Sequence, residues 1–490
     1  MAKLNMLPVS VLAFTALSFG APTQAPDLDS ATEFALTYGF PLYPYASSSV
    51  EVMQVANGTN KFYHERALAT PDFNQVVSPN VDTLYSAAVL DLSHNDLILE
   101  IPEVDDRYYV FPLYDVYGNN YVNLGSTSKS KAGKYRIRYT SDKSQQPGLQ
   151  LCSHITRKRA TELNCDGLEG IITAVTPYGS SQPRYAVTGA SDDLDKIHAF
   201  QDQSKIYTVA KPQPDNAANK NEIPKLTMAL LNSTLSSDMA VKVMQLTARI
   251  APYNPARNGS DQARVDRNLK AAGIDNGKYK HQPGQDLQCS FNATKVKMVA
   301  VSKSKKNSMD LGHEWSTLRS SVQGDFGTNY LVRQTVATAG YLQLTQSEAL
   351  YPTYTGESSM RLNESQAYLF TFESKPPLKE LGFWSLTAYN AEHFLIENDL
   401  NVYSLGDRSN LTYSDGTLVY GNDEHEDVPF QILVQPANVQ PPKNWTSNWL
   451  PAAANGGDMS LLLRFYAQED ELTNGKYKAP LLQKVDAIVE

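Results

Sequence analysis

Alternating apolar and polar positions run through the first half of the chain and predict short β-strands. A helix over 27–38 precedes them, with Asp29 or Ser30 as its N-cap and Gly39 to Pro41 as its end. The predicted strands are 83–91, 97–101, 108–122, 134–139, 170–175 and 184–188. Because these strands follow one another without long helices between them, they favour an antiparallel sandwich or barrel over a doubly wound fold.

Helical spacing replaces the alternation in the middle of the chain. The predicted helical segments are 193–205, 226–250, 261–272 and 315–344, and a polar stretch at 211–224 is the best linker. Strands resume at 368–372, 383–389, 401–405, 417–420, 430–434 and 461–466. The sequence therefore predicts a mainly β protein with a β domain over 21–210, a helical insert over 211–345 and a second β domain over 346–490.

The first twenty residues have the pattern of a secretory signal peptide. Lys3 supplies a positive charge, residues 7–19 are apolar, and Ser18 and Gly20 place small side chains before a cut at Ala21. The apolar run is too short to span a bilayer, and no later segment is long and charge-free enough to do so. We therefore predict a secreted protein, cleaved near Gly20 and Ala21, without a membrane span.

Glycosylation and cysteine patterns fit an exported protein. The seven N-x-[ST] sequons are at Asn57, Asn232, Asn258, Asn292, Asn363, Asn410 and Asn444. Cys152 and Cys165 flank a short loop and are the predicted disulfide pair, which leaves Cys289 either buried or intermolecular. The net charge of −9, spread without a long acidic run, argues against nucleic acid or an anionic membrane as a partner, and the one basic stretch, 295–306, is interpreted as a solvated helix face.

The best candidate site lies on the aromatic strand over 108–122. Side chains alternate between the two faces of a strand, so Asp115 shares a face with Tyr109, Phe111 and Leu113, where a carboxylate is costly without a partner. Such a group either has a raised pKa and acts in acid–base catalysis or accepts hydrogen bonds from nearby turn amides.

The preceding segment, 78–85, supplies further candidates. Asp82 joins Asp115 as a candidate acid or base, and Tyr85 and Tyr114 join them as phenolic donors. Arg107 and Asn80 are assigned to substrate binding. The alternative for Asp82 is that it caps a neighbouring segment.

A second aromatic-polar group lies near the C-terminus. Trp384 and Tyr389 offer rings that stack on a ring-shaped ligand, while Asn448 and Arg464 orient it. The alternative is structural, because a tryptophan in a sandwich usually belongs to the core. Arg464, between Leu463 and Phe465, then pairs with a buried acid.

Catalytic and metal-binding signatures give no further site. The sequence has no G-x-S-x-G elbow, H-E-x-x-H, P-loop or dinucleotide-binding glycine motif, which argues against ordinary serine esterases, zincins and nicotinamide enzymes. The acidic run 422–427 includes His425 but lacks the ligand order of a calcium loop, and the other histidines are scattered. We predict no cofactor and no metal site, without excluding a divalent metal.

Taken together, these motifs resemble a two-part family that pairs a "domain of unknown function 1254" with a "domain of unknown function 1214". The N-terminal motifs are 79–85, Asp91, 101–102, 107–108 and 185–193. The C-terminal motifs are 383–387, Asn398, 415–416, 448–451 and 464–466. The resemblance implies two jelly-roll-like antiparallel β-sandwich domains with helices and a homo-oligomer that can be a trimer.

Two functions remain open on the sequence. One is a secreted enzyme, of the cofactor-independent hydrolase or isomerase type, which acts on a small ring-containing organic molecule by carboxylate and tyrosine acid–base chemistry. The other is a non-catalytic ligand-binding or assembly protein, because jelly-roll domains serve both purposes. Titratable groups that converge in one pocket favour the enzyme.

Overall fold

A computed structural model describes residues 26–72, 78–142, 145–154, 156, 164–211, 222–302, 304–357, 359–421 and 428–489. The predicted signal peptide, the acidic run 422–427 and residues 212–221 of the predicted linker lie outside the described residues. Within the described part of the chain, no helix is long and apolar enough to cross a membrane.

Helices cluster at the start and in the middle of the chain. They are α1 (Leu28–Gly39), α2 (Leu42–Val55), α3 (Asp193–Gln203), α4 (Met228–Asn232), α5 (Met239–Ile250), α6 (Gln262–Ala271), α7 (Leu287–Ser302), α8 (Tyr330–Ala339) and α9 (Glu471–Asn474). Short 3-10 turns are Cys152–His154, Ala251–Tyr253, Gly259–Asp261, Ser320–Val322 and Lys443–Asn448.

Strands fall into an N-terminal and a C-terminal set. The N-terminal strands are β1 (Tyr63–His64), β2 (Thr83–Asp91), β3 (Asp96–Ile101), β4 (Tyr109–Asp115), β5 (Asn120–Gly125), β6 (Gly133–Arg138), β7 (Gly148–Leu151), β8 (Gly170–Thr173), β9 (Tyr178–Ser181), β10 (Arg184–Ala186) and β11 (Lys205–Val209). Two small hairpin strands, β12 (Ile274–Asp275) and β13 (Lys278–Tyr279), lie among the helices.

The C-terminal strands begin after α7. They are β14 (Ser308–Gly312), β15 (Trp315–Leu318), β16 (Ala349–Leu350), β17 (Thr353–Tyr354), β18 (Met360–Asn363), β19 (Gln366–Phe372), β20 (Leu378–Asn390), β21 (Ser404–Gly406), β22 (Phe430–Pro436), β23 (Trp449–Ala452), β24 (Gly456–Gln468) and β25 (Leu481–Asp486).

The N-terminal strands form two sheets that share one apolar core. One sheet has the order β1-β2-β10-β4-β5, with β9 paired to β2 and β4, and the other has the order β11-β3-β6-β8-β7. Their facing side chains include Leu90, Leu99, Phe111, Ile137 and Tyr185. Most pairs are antiparallel, as predicted, but β6 and β8 run parallel. Cys152 and Cys165 form the predicted disulfide at the end of β7.

The C-terminal strands repeat this arrangement. The sheet β16-β24-β20-β21, to which β18 adds, and the sheet β23-β22-β19-β25 enclose a core that includes Phe370, Trp384, Ile432 and Phe465. The pair β22 and β23 is parallel, whereas the other pairs are antiparallel. Mainly antiparallel sheets with some helices therefore describe the protein, as the strand pattern predicted.

The helices form a separate layer in which the N-terminal and middle helices pack together. Leu36 and Tyr45 of α1 and α2 share a core with Leu246 of α5 and Leu269 of α6. The N-cap of α1 is Asp27, which accepts a hydrogen bond from the Ser30 amide, rather than Asp29 or Ser30. The predicted helix over 226–250 is two helices, and residues 315–318 form β15 instead of the start of a helix.

Candidate functional site

Strand β4 is buried on both faces, and this places the candidate site. Tyr109, Phe111 and Leu113 point into the N-terminal core, whereas Val110 and Tyr114 point away from it. The second face packs, together with Tyr108 and Ala186, against Phe383, Tyr466 and Ala467 of the C-terminal domain. Because side chains alternate along β4, one face of the strand packs in the N-terminal core and the other face forms a seam between the two β domains.

The segment before β2 crosses this seam. The Tyr389 hydroxyl donates to the Pro79 carbonyl at 2.8 Å, and the Arg464 guanidinium bonds both the Tyr389 hydroxyl, at 2.7 Å, and the Ser78 carbonyl, at 3.3 Å. The Asn80 amide donates to Tyr85 at 3.1 Å and to Tyr466 at 3.0 Å. The sequence motifs at the two ends of the chain thus meet in space.

Asp82 lies in the same seam, and its carboxylate accepts hydrogen bonds from the other domain. It accepts hydrogen bonds from Ser385 at 2.5 Å, Ser404 at 3.3 Å and Arg408 at 3.0 Å. With Arg408 it lines a polar pocket of about 160 Å³, whose other lining residues are Val81, Val187, Thr188, Gly189, Ser404, Gly406 and Ser409. Asp82 is therefore an inter-domain ion-pair partner at the edge of a pocket.

Asp407 adds a second carboxylate beside Arg408. Its Oδ1 atom accepts the Trp384 amide at 2.7 Å and lies 3.9 Å from the Arg408 Nε atom. Burial raises the pKa of Asp407 to about 6, although Arg408 opposes the shift. This carboxyl group therefore keeps its proton to a higher pH than an exposed aspartate does.

Five tyrosines surround a buried arginine deeper in the seam, and we call this group the tyrosine cluster: Tyr85, Tyr108, Tyr114, Tyr351 and Tyr466 around Arg184. The rings of Tyr108 and Tyr466 are 5.4 Å apart, and those of Tyr351 and Tyr466 are 6.2 Å apart. The Phe383 ring stacks on Tyr466 at 4.4 Å and contacts the Arg408 guanidinium at 4.0 Å. The cluster and the Asp82 pocket are therefore neighbours.

The position of Arg184 follows from the register of β10. Arg184 lies directly opposite Tyr85 of β2 and Val110 of β4, so all three side chains share the seam face. Its guanidinium lies 4.9 Å from the centre of the Tyr85 ring, and the residue is only 4% exposed. Among the described residues the Arg184 Nε atom has no hydrogen-bond partner, and no ion pair involves this side chain.

Three phenols of the cluster are held in their neutral, hydrogen-bond-donating form by burial. Burial raises the pKa of Tyr114, Tyr351 and Tyr466, with Arg184 acting in the opposite direction on each. The Tyr114 hydroxyl is buried without a partner in the described part of the chain, while the Tyr85 hydroxyl accepts the Asn80 amide. Tyr85 and Tyr351 are partly exposed, so the cluster reaches the surface.

Glu348 is a buried acidic group that contacts the tyrosine cluster. It is 3% exposed and accepts a hydrogen bond from the Tyr108 hydroxyl at 3.1 Å. Burial raises its pKa, against the opposing effects of the Tyr108 hydrogen bond and the Arg184 charge. Glu348 can therefore hold a proton at a higher pH than an exposed glutamate does.

Asp115, in contrast, is enclosed in the β4–β5 turn. It accepts hydrogen bonds from the backbone of Tyr117 at 2.8 Å and of Asn119 at 3.0 Å, and from the Asn119 side chain at 2.7 Å. It is 0% exposed, and burial raises its pKa. This is the turn-amide role that the sequence left open as the alternative.

Three other predicted site residues lie away from the cluster. Arg107 is held by Asp193 at 2.6 Å and by Asp106 at 2.8 Å, which fixes the start of α3 to the start of β4. Trp384 points into the C-terminal core and donates to the Tyr420 hydroxyl at 2.6 Å. Asn448 bonds the backbone of Thr412 and Gln431. The structure thus brings Asn80, Asp82, Tyr85, Tyr114, Tyr389 and Arg464 together at the seam.

Sequence reasoning missed the central residue of the site. The alternation predicts a strand at Arg184, but arginines are usually exposed, and the sequence alone does not indicate that this one is buried. Glu348, Tyr351 and Arg408 were missed for the same reason. The one signal was that Arg184 alternates with a core tyrosine, Tyr185, on a short strand.

The seven sequons and the third cysteine lie on the surface of the protein. All seven sequon asparagines are exposed. Cys289 is a free thiol on the exposed side of α7, not a buried one. Across the described ranges, no group of three or more His, Cys, Asp or Glu side chains is arranged to hold a metal ion.

Comparisons with known proteins place this seam between two family matches. Residues 59–208 match a family model described as "Protein of unknown function (DUF1254)", and residues 348–470 match one described as "Protein of unknown function (DUF1214)". Tyr85, Tyr108, Tyr114 and Arg184 lie in the first match, and Glu348, Tyr351 and Tyr466 lie in the second. No curated protein matches the sequence.

One solved structure shows the same fold over nearly the whole chain. The VPA0106 protein from Vibrio parahaemolyticus is 18% identical, with a TM-score of 0.59, over 93% of this chain and 99% of that chain. An uncharacterised protein from Burkholderia cenocepacia is 11% identical, with a TM-score of 0.42, over 94% of each chain. The first likeness supports the fold described above.

Proposed function

Because the chain belongs to the family that joins a DUF1254 domain to a DUF1214 domain, and each domain supplies half of one aromatic seam, we propose that this seam is its functional site. The site binds a small, ring-containing organic molecule in the tyrosine cluster. The observation that carries this proposal is Arg184, a 4% exposed cation with an unpartnered Nε atom among the described residues, surrounded by phenols.

The donors and rings of the cluster suit such a ligand. Small-molecule sites combine aromatic walls with a few convergent polar groups that fix orientation. Here Tyr85 and Tyr351 provide partly exposed rings, while the buried Tyr114 hydroxyl lacks an acceptor in the described part of the chain. An unsatisfied buried donor is costly, so a ligand acceptor would offset that cost.

Proton-transfer catalysis is the second candidate function. It is favoured by Glu348, whose pKa is raised by burial and whose carboxyl group bonds the Tyr108 hydroxyl. Asp82 and Tyr85 stay candidate acid–base groups of the same seam. Asp115 takes no part in this proposal, because the turn amides occupy it.

We further propose that the protein is a secreted glycoprotein built from two jelly-roll-like sandwiches and that it forms a homo-oligomer, with a trimer as one arrangement. The exposure of all seven sequon asparagines and the Cys152–Cys165 disulfide support export. Production in a secreting eukaryotic host tests the proposed glycosylation: treatment of the secreted protein with N-glycosidase should lower its mass in several steps. A single unmodified mass would contradict it.

Native mass spectrometry of the full chain tests the binding proposal. The wild-type protein should retain, or take up from a panel of small ring compounds, a ligand that a Tyr85→Ala variant loses. Tyr207→Ala is the matched control, because Tyr207 is an exposed tyrosine on β11 far from the seam. Equal ligand occupancy in the two variants would contradict the proposal.

A further inference from the structure

We propose that the ligand of the tyrosine cluster carries a carboxylate and that Arg184 binds this group. The inference rests on the proposed function, because it names the chemical class that the seam recognises. It also assigns the role of ligand-binding residue to a side chain that no sequence motif indicated. Three features of the structure support it: the missing anion, the contrast with other buried arginines and the donor excess around the site.

The missing anion is the first feature. A charge that is removed from water is costly unless it is paired and hydrogen-bonded. Arg107 and Arg136 follow this rule, with Asp193 at 2.6 Å and Asp96 at 2.9 Å respectively. Arg184, which is equally buried, has no carboxylate within 4.0 Å among the described residues. An external anion would complete the same pattern.

Among the described residues, Arg333 and Arg464 are also buried without an acidic partner, but each has ring or hydrogen-bond contacts that Arg184 lacks. Arg333 lies 4.9, 4.6 and 4.7 Å from the ring centres of Tyr38, Tyr117 and Tyr330 and donates to the Tyr38 carbonyl at 2.7 Å. Arg464 donates hydrogen bonds to two side chains and to one carbonyl. Arg184 has one ring contact and gives no hydrogen bond within the described residues, so its fork of donors is free.

The surroundings of Arg184 select an acceptor-rich ligand. Neutral phenols donate hydrogen bonds, and the Asn80 amide already occupies the Tyr85 oxygen as a donor. Glu348, the nearby acid, is engaged by Tyr108. Because donors and positive charge predominate, a cationic ligand is disfavoured, whereas a carboxylate matches the planar fork of an arginine. The adjacent rings of Tyr85 and Tyr351 suit a ring attached to that carboxylate.

Stability provides the first test. Arg184→Met keeps much of the side-chain volume and removes an unpaired buried charge, so we expect the ligand-free variant to melt at or above the wild-type temperature. Arg136→Met is the control: it leaves Asp96 buried without its partner and should lower the melting temperature clearly. If Arg184→Met lowers the melting temperature as much as Arg136→Met does, Arg184 is structural and the inference fails.

Binding provides the second test, with pairs of probes that share a ring and differ only in carrying a carboxylate or a primary amide. Calorimetry of the full chain would compare benzoate with benzamide and cyclohexanecarboxylate with its primary amide. We expect the acids to bind wild type more tightly than the amides, and Arg184→Met to weaken the acids about tenfold or more. Arg184→Lys, which keeps the charge but loses the fork, should weaken them less. Arg136→Met should bind as wild type does.

The outcomes separate this inference from the proposed function. If acids and amides bind equally and Arg184→Met changes neither, the seam holds a ring compound but does not recognise a carboxylate, which overturns the inference alone. If neither member of either pair binds wild type at millimolar concentration, both proposals fail. Selective loss of acid binding in Arg184→Met, with a retained melting temperature, supports both.

Discussion

The Asp82–Arg408 pair should couple the two β domains, and Asp82→Asn measures that coupling. The Asp82 side chain is 4% exposed and that of Arg408 is 21% exposed, so the pair is mostly removed from water. Breaking a buried pair by removing one partner costs about 3–5 kcal/mol. In the variant, Arg408 keeps its hydrogen bonds to the Asp82 and Val187 backbone carbonyls and stays partly exposed to water. We therefore expect Asp82→Asn to lower the free energy of unfolding by about 2–3 kcal/mol.

The tryptophans make the assay specific to one domain. Trp315, Trp384, Trp445 and Trp449 all lie in the C-terminal half, so tryptophan fluorescence follows that half, while circular dichroism follows the whole chain. In wild type, the two signals should report one denaturant transition. In Asp82→Asn the transitions should shift to lower denaturant and separate, because the seam has lost its charged contact.

A control variant and a double-mutant cycle show whether the loss of the Asp82–Arg408 pair causes the change in stability. Asp458→Asn removes an exposed pair with Arg361, whose side chains are 51% and 70% exposed, and should cost less than about 0.5 kcal/mol. Arg408→Met should destabilise the Asp82→Asn variant less than it destabilises the wild-type protein, and the difference, which is the coupling energy of the pair, should exceed about 1 kcal/mol. If Asp82→Asn behaves like Asp458→Asn, the seam does not couple the domains and the reasoning is refuted.

Three further variants test other parts of the structure. The folded pKa of Asp407, about 6, lies above its ordinary value of 3.8, so the stability of the wild-type protein should fall as the pH rises from 3.8 to about 6. In thermal unfolding, Asp407→Asn should be about 2 kcal/mol more stable than wild type at pH 7.5 and equally stable below pH 3.8. Arg333→Met, which removes a cation enclosed by three rings, should cost about 2 kcal/mol in denaturant unfolding, and no loss would contradict a cation–π role. Replacing Cys152 and Cys165 by serine should cost about 3 kcal/mol, and a reductant should lower wild-type stability equally.

Local patterns were sufficient to predict much of the N-terminal sheet. The strand over 83–91 has the observed bounds of β2, and the alternation correctly places Tyr109, Phe111 and Leu113 on one face of β4. Cys152 and Cys165 were paired from their spacing alone. These features depend on neighbours in sequence, where strand period and loop length act directly.

The site depended on contacts that no local pattern contains. The alternation could not show that the second face of β4 meets a second domain, and therefore that Arg184 is buried without an acid. The same limit applies to Trp384 and Arg107, whose residue types suggested ligand contacts although core packing and an ion pair account for them. Similarly, the four residues of β15 fit either period, and only pairing with β14 and β17 makes them a strand.

The double burial of β4 has a practical consequence for dividing the protein. A fragment that ends near residue 210 would present Tyr108, Val110, Tyr114 and Ala186 to water as one apolar surface, and the remaining fragment would present Phe383 and its neighbours. Each fragment alone should therefore self-associate, whereas the two fragments produced together should recombine without a covalent link. Such complementation would show that non-covalent contacts alone hold the two halves of the protein together.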